Sequence, residues 1–267
     1  MNIQTMLRRI DTTKALIDRR RPLQPAEVKQ LDAYFRISAT YSSNALEGNT
    51  LTLTETKVLL EDGLTAGGKP LRHCYEAIGH ANAYDFMLKI ARSHDLELSE
   101  DIILKLHGLF YQRIEPEKAG HYRDHQVFIT GTDYIPPAAE EVPELMRAFV
   151  DELILESEDT HPVCFAAFAH RKLVDIHPFT DGNGRTARLL MNLILINCGY
   201  QIVIIPPVLR SDYINALKKG QHKRSPSDEA FIRLIAECEI EAQREYCRMF
   251  DIRPPAKEAR GFRFRLG

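Results

Sequence analysis

No run of about 18 consecutive apolar residues occurs anywhere in the 267-residue chain, which removes a membrane-spanning helix from the expectations. Basic charge is not in excess either. With 35 Lys and Arg against 37 Asp and Glu, the formal net charge is −2, and nothing electrostatic favours nucleic acid as the main partner. The five cysteines (Cys74, Cys164, Cys198, Cys238 and Cys247) are odd in number and lack C-x-x-C spacing, so buried thiols in a reducing cytoplasm are expected rather than disulfides or a metal knuckle. His73 and His80 have no Asp or Cys partner at metal-ligand spacing and read as structural or exposed. Residues 1–18 are charged and lack the apolar centre of a signal peptide, and no internal repeat is visible. A cytoplasmic protein is therefore expected.

What is present is helical. Apolar residues make up 44% of the chain, enough for a sizeable core in one large domain or two modest ones. Apolar positions recur at three- and four-residue steps over 1–21, 25–39, 50–61, 71–92, 164–176 and 189–198, and again from 227 onward. Thr52 with Glu55 three residues on predicts a capping box, and Asp159 or Thr160 an N-cap ahead of Pro162. One interval breaks the pattern. Residues 126–130 are β-prone, Gly131-Thr132-Asp133 reads as a turn, and Tyr134-Ile135 precedes Pro136-Pro137, so a short β-hairpin is expected there.

The densest chemistry lies at 177–188, His-Pro-Phe-Thr-Asp-Gly-Asn-Gly-Arg-Thr-Ala-Arg, placed as a loop whose second half opens a helix. Gly182 and Gly184 allow close backbone approach to a ligand, and a helix start offers unpaired N–H groups and the positive end of the dipole to an anion. Arg185 and Arg188, three residues apart on the first turn, can fork onto one polyphosphate. Asp181 is a hard oxygen ligand suited to a phosphate-bound Mg²⁺, and His177 can accept a proton at neutral pH. Base, metal ligand, anion nest and arginine pair together describe attack on a nucleoside triphosphate.

This stretch resembles the Fic signature, His-Pro-Phe-x-Asp/Glu-Gly-Asn-Gly-Arg-x-x-Arg, at every fixed position. The resemblance implies an all-α Fic fold with a hairpin flap over the active site, and transfer of AMP from ATP to a Tyr, Ser or Thr hydroxyl of a target protein. It sets the chain apart from Doc-type kinases, which carry Lys where this chain has Gly184. His177 would be the base and Asp181 the Mg²⁺ ligand. Gly182, Asn183 and Gly184 would cradle the α-phosphate, and Arg185 and Arg188 would hold the β- and γ-phosphates. Upstream, Ser43-x-x-x-Glu47-Gly48 resembles the inhibitory-helix motif of class II Fic proteins, which implies that Glu47 pairs with Arg188 in the room the γ-phosphate needs. On the same resemblance Val127, Phe128, Ile129 and Thr130 of the flap would touch the nucleotide, and Tyr213, Ile214 and Gln221 would line the adenine pocket.

The implied organisation is an N-terminal regulatory region (1–98), a catalytic core (99–240), and a helix end with a basic tail (241–267). Target proteins would dock on the flap at 126–136; self-AMPylation and a homodimer remain open, with no nucleic acid and no membrane as partner. Two other readings stay open as well: removal of AMP with Glu47 positioning water, and a non-catalytic binding module.

Overall fold

Over residues 1–65, 67–93, 96–129, 132–221 and 226–253, which the computed structural model describes, the chain forms ten α-helices and no β-strand. The helices begin where local chemistry supplies a first-turn acceptor. In α1 (Ile3–Asp18) the Asn2 side chain accepts from the Thr5 N–H at 2.8 Å. α3 (Leu53–Asp62) opens on the expected capping box. The Glu55 N–H donates to the Thr52 hydroxyl at 3.2 Å, and the Thr52 N–H to the Glu55 carboxylate at 2.7 Å. α7 (Pro162–Ile176) is capped instead by His161, whose Nδ1 accepts from the Val163 N–H at 3.2 Å. Thr160 lies one residue before that cap, and its hydroxyl donates to Glu156 at 2.8 Å.

The largest departure from the sequence pattern is α2 (Pro25–Ala45), which runs six residues past the expected end at 39. Ser42, Ser43 and Asn44 are turn formers by propensity, yet tertiary bonds hold them in the helix. The Ser42 hydroxyl donates to the Ile205 carbonyl at 2.5 Å, and the Asn44 amide to the Glu76 carbonyl at 3.4 Å. Ser43 thus lies in the last turn of a long helix, and Glu47 in the turn that closes it.

The remaining helices are α4 (Leu71–Ala91), α5 (Glu100–Tyr111), α6 (Val142–Asp159), α8 (Asn183–Asn197), α9 (Arg210–Gly220) and α10 (Glu229–Met249). One hydrophobic cluster joins α1, α2 and α4 through α10, with Ile10, Met87, Phe110, Phe149, Leu173, Leu190 and Ile235 at its centre. Aliphatic and aromatic stripes of this kind, buried at about 25 cal/mol per Å², hold the helices in place. α7 and α8 lie side by side, and α4 crosses both α5 and α8. The loop between α7 and α8 is therefore set on a fixed floor. Cys74, Cys238 and Cys247 are buried free thiols as expected, whereas Cys198, just past the end of α8, is exposed. No helix among the described residues is long and apolar enough to cross a membrane.

The structure also corrects the expected hairpin. Residues 126–129 and 132–136 carry no strand pairing, with a bend at Asp133, and Thr130 and Gly131 lie outside the described residues. Pro136 and Pro137 lack N–H groups for a ladder, and two short arms without a third strand are marginal in water. The Gln126 side-chain amide bridges the arms instead, donating to the Pro136 carbonyl at 3.0 Å. Phe128 and Ile135 are left 76% and 61% exposed.

Candidate active site

The loop from 177 to 182 is shaped by two residues with positive φ. His177 ends α7 at φ 52° and ψ 56°, and Gly182 opens α8 at φ 84°. A side chain at Gly182 would meet the Phe110 ring at 2.7 Å, so both the backbone and the space require glycine. Asn183, 2% exposed, braces the loop from within. It accepts from the Phe179 N–H at 2.9 Å and donates to the Phe179 carbonyl at 2.8 Å, so its side chain is spent on the loop rather than left for a ligand.

His177 directs one nitrogen inward. Its Nδ1 lies 3.1 Å from the Val174 carbonyl, an acceptor only, so Nδ1 carries the hydrogen and Nε2 keeps the lone pair. Burial pushes the imidazole below its ordinary 6.5; the bond to Val174 opposes this and the Arg123 charge adds to it. Neutral His177, able to accept a proton at Nε2, is the form present at neutral pH.

Around it stand charges that a sequence would place on a solvated face, yet both arginines of α8 are buried. Arg188 is 4% exposed. Its Nε donates to the Ser43 hydroxyl at 2.9 Å and its Nη1 to the Tyr213 hydroxyl at 3.0 Å. Nη2 reaches the Ser43 carbonyl at 2.9 Å and the Glu47 carboxylate at 2.7 Å. Arg185 is 3% exposed, packs over the Phe110 ring at 4.4 Å, and lies 3.0 Å from Asp181 and 3.2 Å from Glu76. Beneath Arg188, His80 is pushed down to about 3 by burial, with the nearby arginines adding to the effect, so no second positive charge forms there.

Glu47 occupies the mouth of this arrangement. Its side chain is 36% exposed, and its Oε1 would stand 2.5 Å from any Cβ placed on Gly184, so only glycine lets the carboxylate sit over the first turn of α8. The first N–H groups of α8 and the helix dipole favour an anion at this place. Burial tends to raise the Glu47 carboxyl, but Arg188 and then Arg185 outweigh it and hold the group below its ordinary 4.5. The segment is fixed from three sides. Arg210 donates to the Leu46 carbonyl at 2.7 Å, and Asn49 donates to Glu76 at 2.8 Å and to the His73 carbonyl at 3.0 Å.

Asp181 is 40% exposed and lies between two guanidinium groups. Oδ1 accepts from the Gly182 N–H at 2.6 Å and from Arg185 at 3.0 Å, and Oδ2 from Arg72 at 2.7 Å. Burial would raise this carboxyl, yet the Arg185 charge, the Gly182 N–H and Arg72 together hold it below its ordinary 3.8. Its carbonyl accepts from His107 Nε2 at 3.1 Å, and the His107 ring stacks on Phe179 at 3.7 Å. Among the described residues no group of three or more His, Cys, Asp and Glu side chains could hold a metal. A single carboxylate that already draws cationic groups fits an ion that arrives on phosphate and keeps waters of its own.

His177, Asp181, Gly184, Arg185, Arg188, Ser43 and Glu47 are thus brought together. Gly182 and Asn183 shape the loop itself, and the remaining expected residues lie farther out. Tyr213, 6% exposed, lies behind Arg188 with its hydroxyl 3.1 Å from His170 Nε2. Ile214 packs against the core, and Gln221 donates to Asp175 at 2.9 Å. Val127, Phe128 and Ile129 lie on the flap, and Thr130 is outside the described residues. Arg72, Glu76, His107 and Arg123 were not singled out as site residues by the sequence. Arg123 ties the flap to the loop, donating from Nε to the His177 carbonyl at 2.8 Å and from Nη2 to the Pro137 carbonyl at 2.6 Å.

Comparison with known proteins finds relatives by sequence and by fold. Residues 97–195 match the Fic/DOC family. A protein adenylyltransferase Fic from Nematostella vectensis is 42% identical over 212 residues, 78% of this chain and 47% of that protein. The chain spans about half the length, or less, of the curated relatives it matches. The structure of residues 134–508 of Fic-1 from C. elegans aligns at a TM-score of 0.82 with 34% identity, covering 93% of this chain and 73% of that one. A Fic-domain signalling protein from Bacteroides thetaiotaomicron aligns at 0.78 with 31% identity, over 91% of this chain and 94% of the other.

Proposed function

We propose, from the premise that the chain belongs to the Fic/DOC family, that it transfers AMP from ATP to a hydroxyl of a protein and is held inactive by Glu47. The observation that carries this reading is the Glu47 carboxylate set on Arg188 at the start of α8, 2.7 Å from the guanidinium. A carboxylate there marks where the site takes a phosphate, and next to it the neutral imidazole of His177 offers Nε2.

The reaction follows from these parts. His177 Nε2 takes the proton of the attacking hydroxyl, whose oxygen forms a bond to the α-phosphorus. The bond from that phosphorus to the bridging oxygen breaks, and pyrophosphate leaves with the electron pair. Arg185, Arg188 and the first N–H groups of α8 supply positive potential to the oxygens that gain charge. Asp181 would hold Mg²⁺ carried by the triphosphate, and the ion would neutralise phosphate charge when bound. The flap, with no strand pairing of its own among the described residues and with exposed Phe128 and Ile135, suits a target segment that adds alongside it. Residues 1–98 act in this reading as the regulatory region, because they carry Ser43 and Glu47.

Isotope position tests the chemistry. Incubated with ATP labelled at the α-phosphate, the Glu47→Gly protein labels protein; with ATP labelled at the γ-phosphate it does not. Label from the γ-position would make the chain a kinase and overturn the adenylyl reading.

A further inference from the structure

We infer that Arg72 is a positioning residue that holds the Asp181 oxygen a phosphate-bound divalent cation would take, so that metal loading requires Arg72 to swing aside. The inference rests on the reading above that a metal-bound triphosphate occupies this site.

The two oxygens of Asp181 are not equivalent. Oδ1 belongs to the loop, bonded to the Gly182 N–H at 2.6 Å and to Arg185 at 3.0 Å. Oδ2 faces Arg72 Nη2 at 2.7 Å. The two arginines differ in the same way. Arg185 is wedged, 3% exposed, between Glu76 and the Phe110 ring, whereas the Arg72 side chain is 48% exposed and reaches over from the first turn of α4. Arg72 is therefore the partner that can leave. When it does, it stays tethered, since its Nε lies 3.3 Å from Glu76, whose side chain is 9% exposed. The freed guanidinium remains at the rim, beside Glu76.

The arrangement mirrors the other end of the site. Glu47 places a protein anion on Arg188, and Arg72 places a protein cation on Asp181. A half-exposed ion pair is weak and is screened by water, so the exchange lowers apparent metal affinity by only about three- to fivefold. That modest value is what makes Arg72 a tuner of the metal requirement rather than a block.

The test measures binding, not turnover. Glu47→Gly/His177→Ala protein, with and without Arg72→Ala, is dialysed against labelled ATP over a Mg²⁺ series. Removal of Arg72 lowers the Mg²⁺ concentration for half-maximal ATP retention about three- to fivefold. Arg72→Gln, which keeps the stem and loses the charge, does the same, and Arg72→Lys lies between. An unchanged or raised half-saturation in the Ala and Gln variants overturns the inference while the nucleotide reading stands. No Mg²⁺-dependent ATP retention by the parent protein overturns both.

Discussion

Glu47→Gly raises the initial rate of AMP transfer from ATP by at least about 100-fold over the unsubstituted chain. Arg188 is 4% exposed, and Glu47 is its carboxylate partner at 2.7 Å. A triphosphate that sought the same guanidinium would stand beside that carboxylate, at about 4 kcal/mol per pair of like charges 4 Å apart with an effective dielectric of 20. Displacing the triphosphate instead spoils the in-line geometry, and small misplacements cost about 100-fold in rate. The fold survives the substitution because Ser43 and Tyr213 still bind Arg188 through its other hydrogens. Rates of α-label incorporation, with circular dichroism melts of both proteins, check the outcome. Acid is not a release signal in this account. Arginine charge holds the Glu47 carboxyl below 4.5, so its contribution is fully present above that value and is lost only as pH falls through the lower one.

His177→Ala in the Glu47→Gly background lowers the transfer rate by about 10²- to 10⁴-fold, the usual span for removal of a general base, and leaves ATP binding in place. The imidazole makes its Nδ1 bond to Val174, and no group in the phosphate-binding set of Arg185, Arg188 and Asp181 depends on it. The pH profile of the Glu47→Gly protein carries the same signature. Burial lowers the His177 value from 6.5, so the neutral, proton-accepting form persists at and below that pH. The rate is accordingly flat on the alkaline side of 6.5 and falls on acidification only as the lowered value is passed. A limb centred above 6.5 would place the essential base elsewhere.

The parts of this site that were legible in the sequence are those whose chemistry is local. A loop between two helices, glycines at a helix start and two arginines early in that helix are readable from 177–188 alone; the structure puts Arg185 on the first turn of α8 and Arg188 on the second. Glu47 was legible through a short motif, but the form of its support was not. Ser42, Ser43 and Asn44 favour turns locally, and the helix continues through them because Ile205, Arg188 and Glu76 lie at the right distance. Arg72, Glu76, His107 and Arg123 carry no local signal at all. Each acts across a large sequence separation, Arg72 on Asp181 and Arg123 on His177; packing of α4 and α5 under the loop brings the first three there, and Arg123 comes from the segment after α5. The hairpin failed for the opposite reason. Its residues have the right propensity, but strand pairing needs partners, and Pro136 and Pro137 supply no donors.

The central claim is that Glu47 and the terminal phosphates compete for Arg188, and nucleotide length tests it most directly. Binding of ATP and of AMP is measured by calorimetry for His177→Ala protein with Glu47 intact and with Glu47→Gly, so that no turnover intervenes. Competition predicts that Glu47→Gly tightens ATP at least tenfold, about 1.4 kcal/mol, and leaves AMP unchanged, because AMP has no phosphate to bring to Arg188. Equal effects on both nucleotides, or no effect on either, would contradict it.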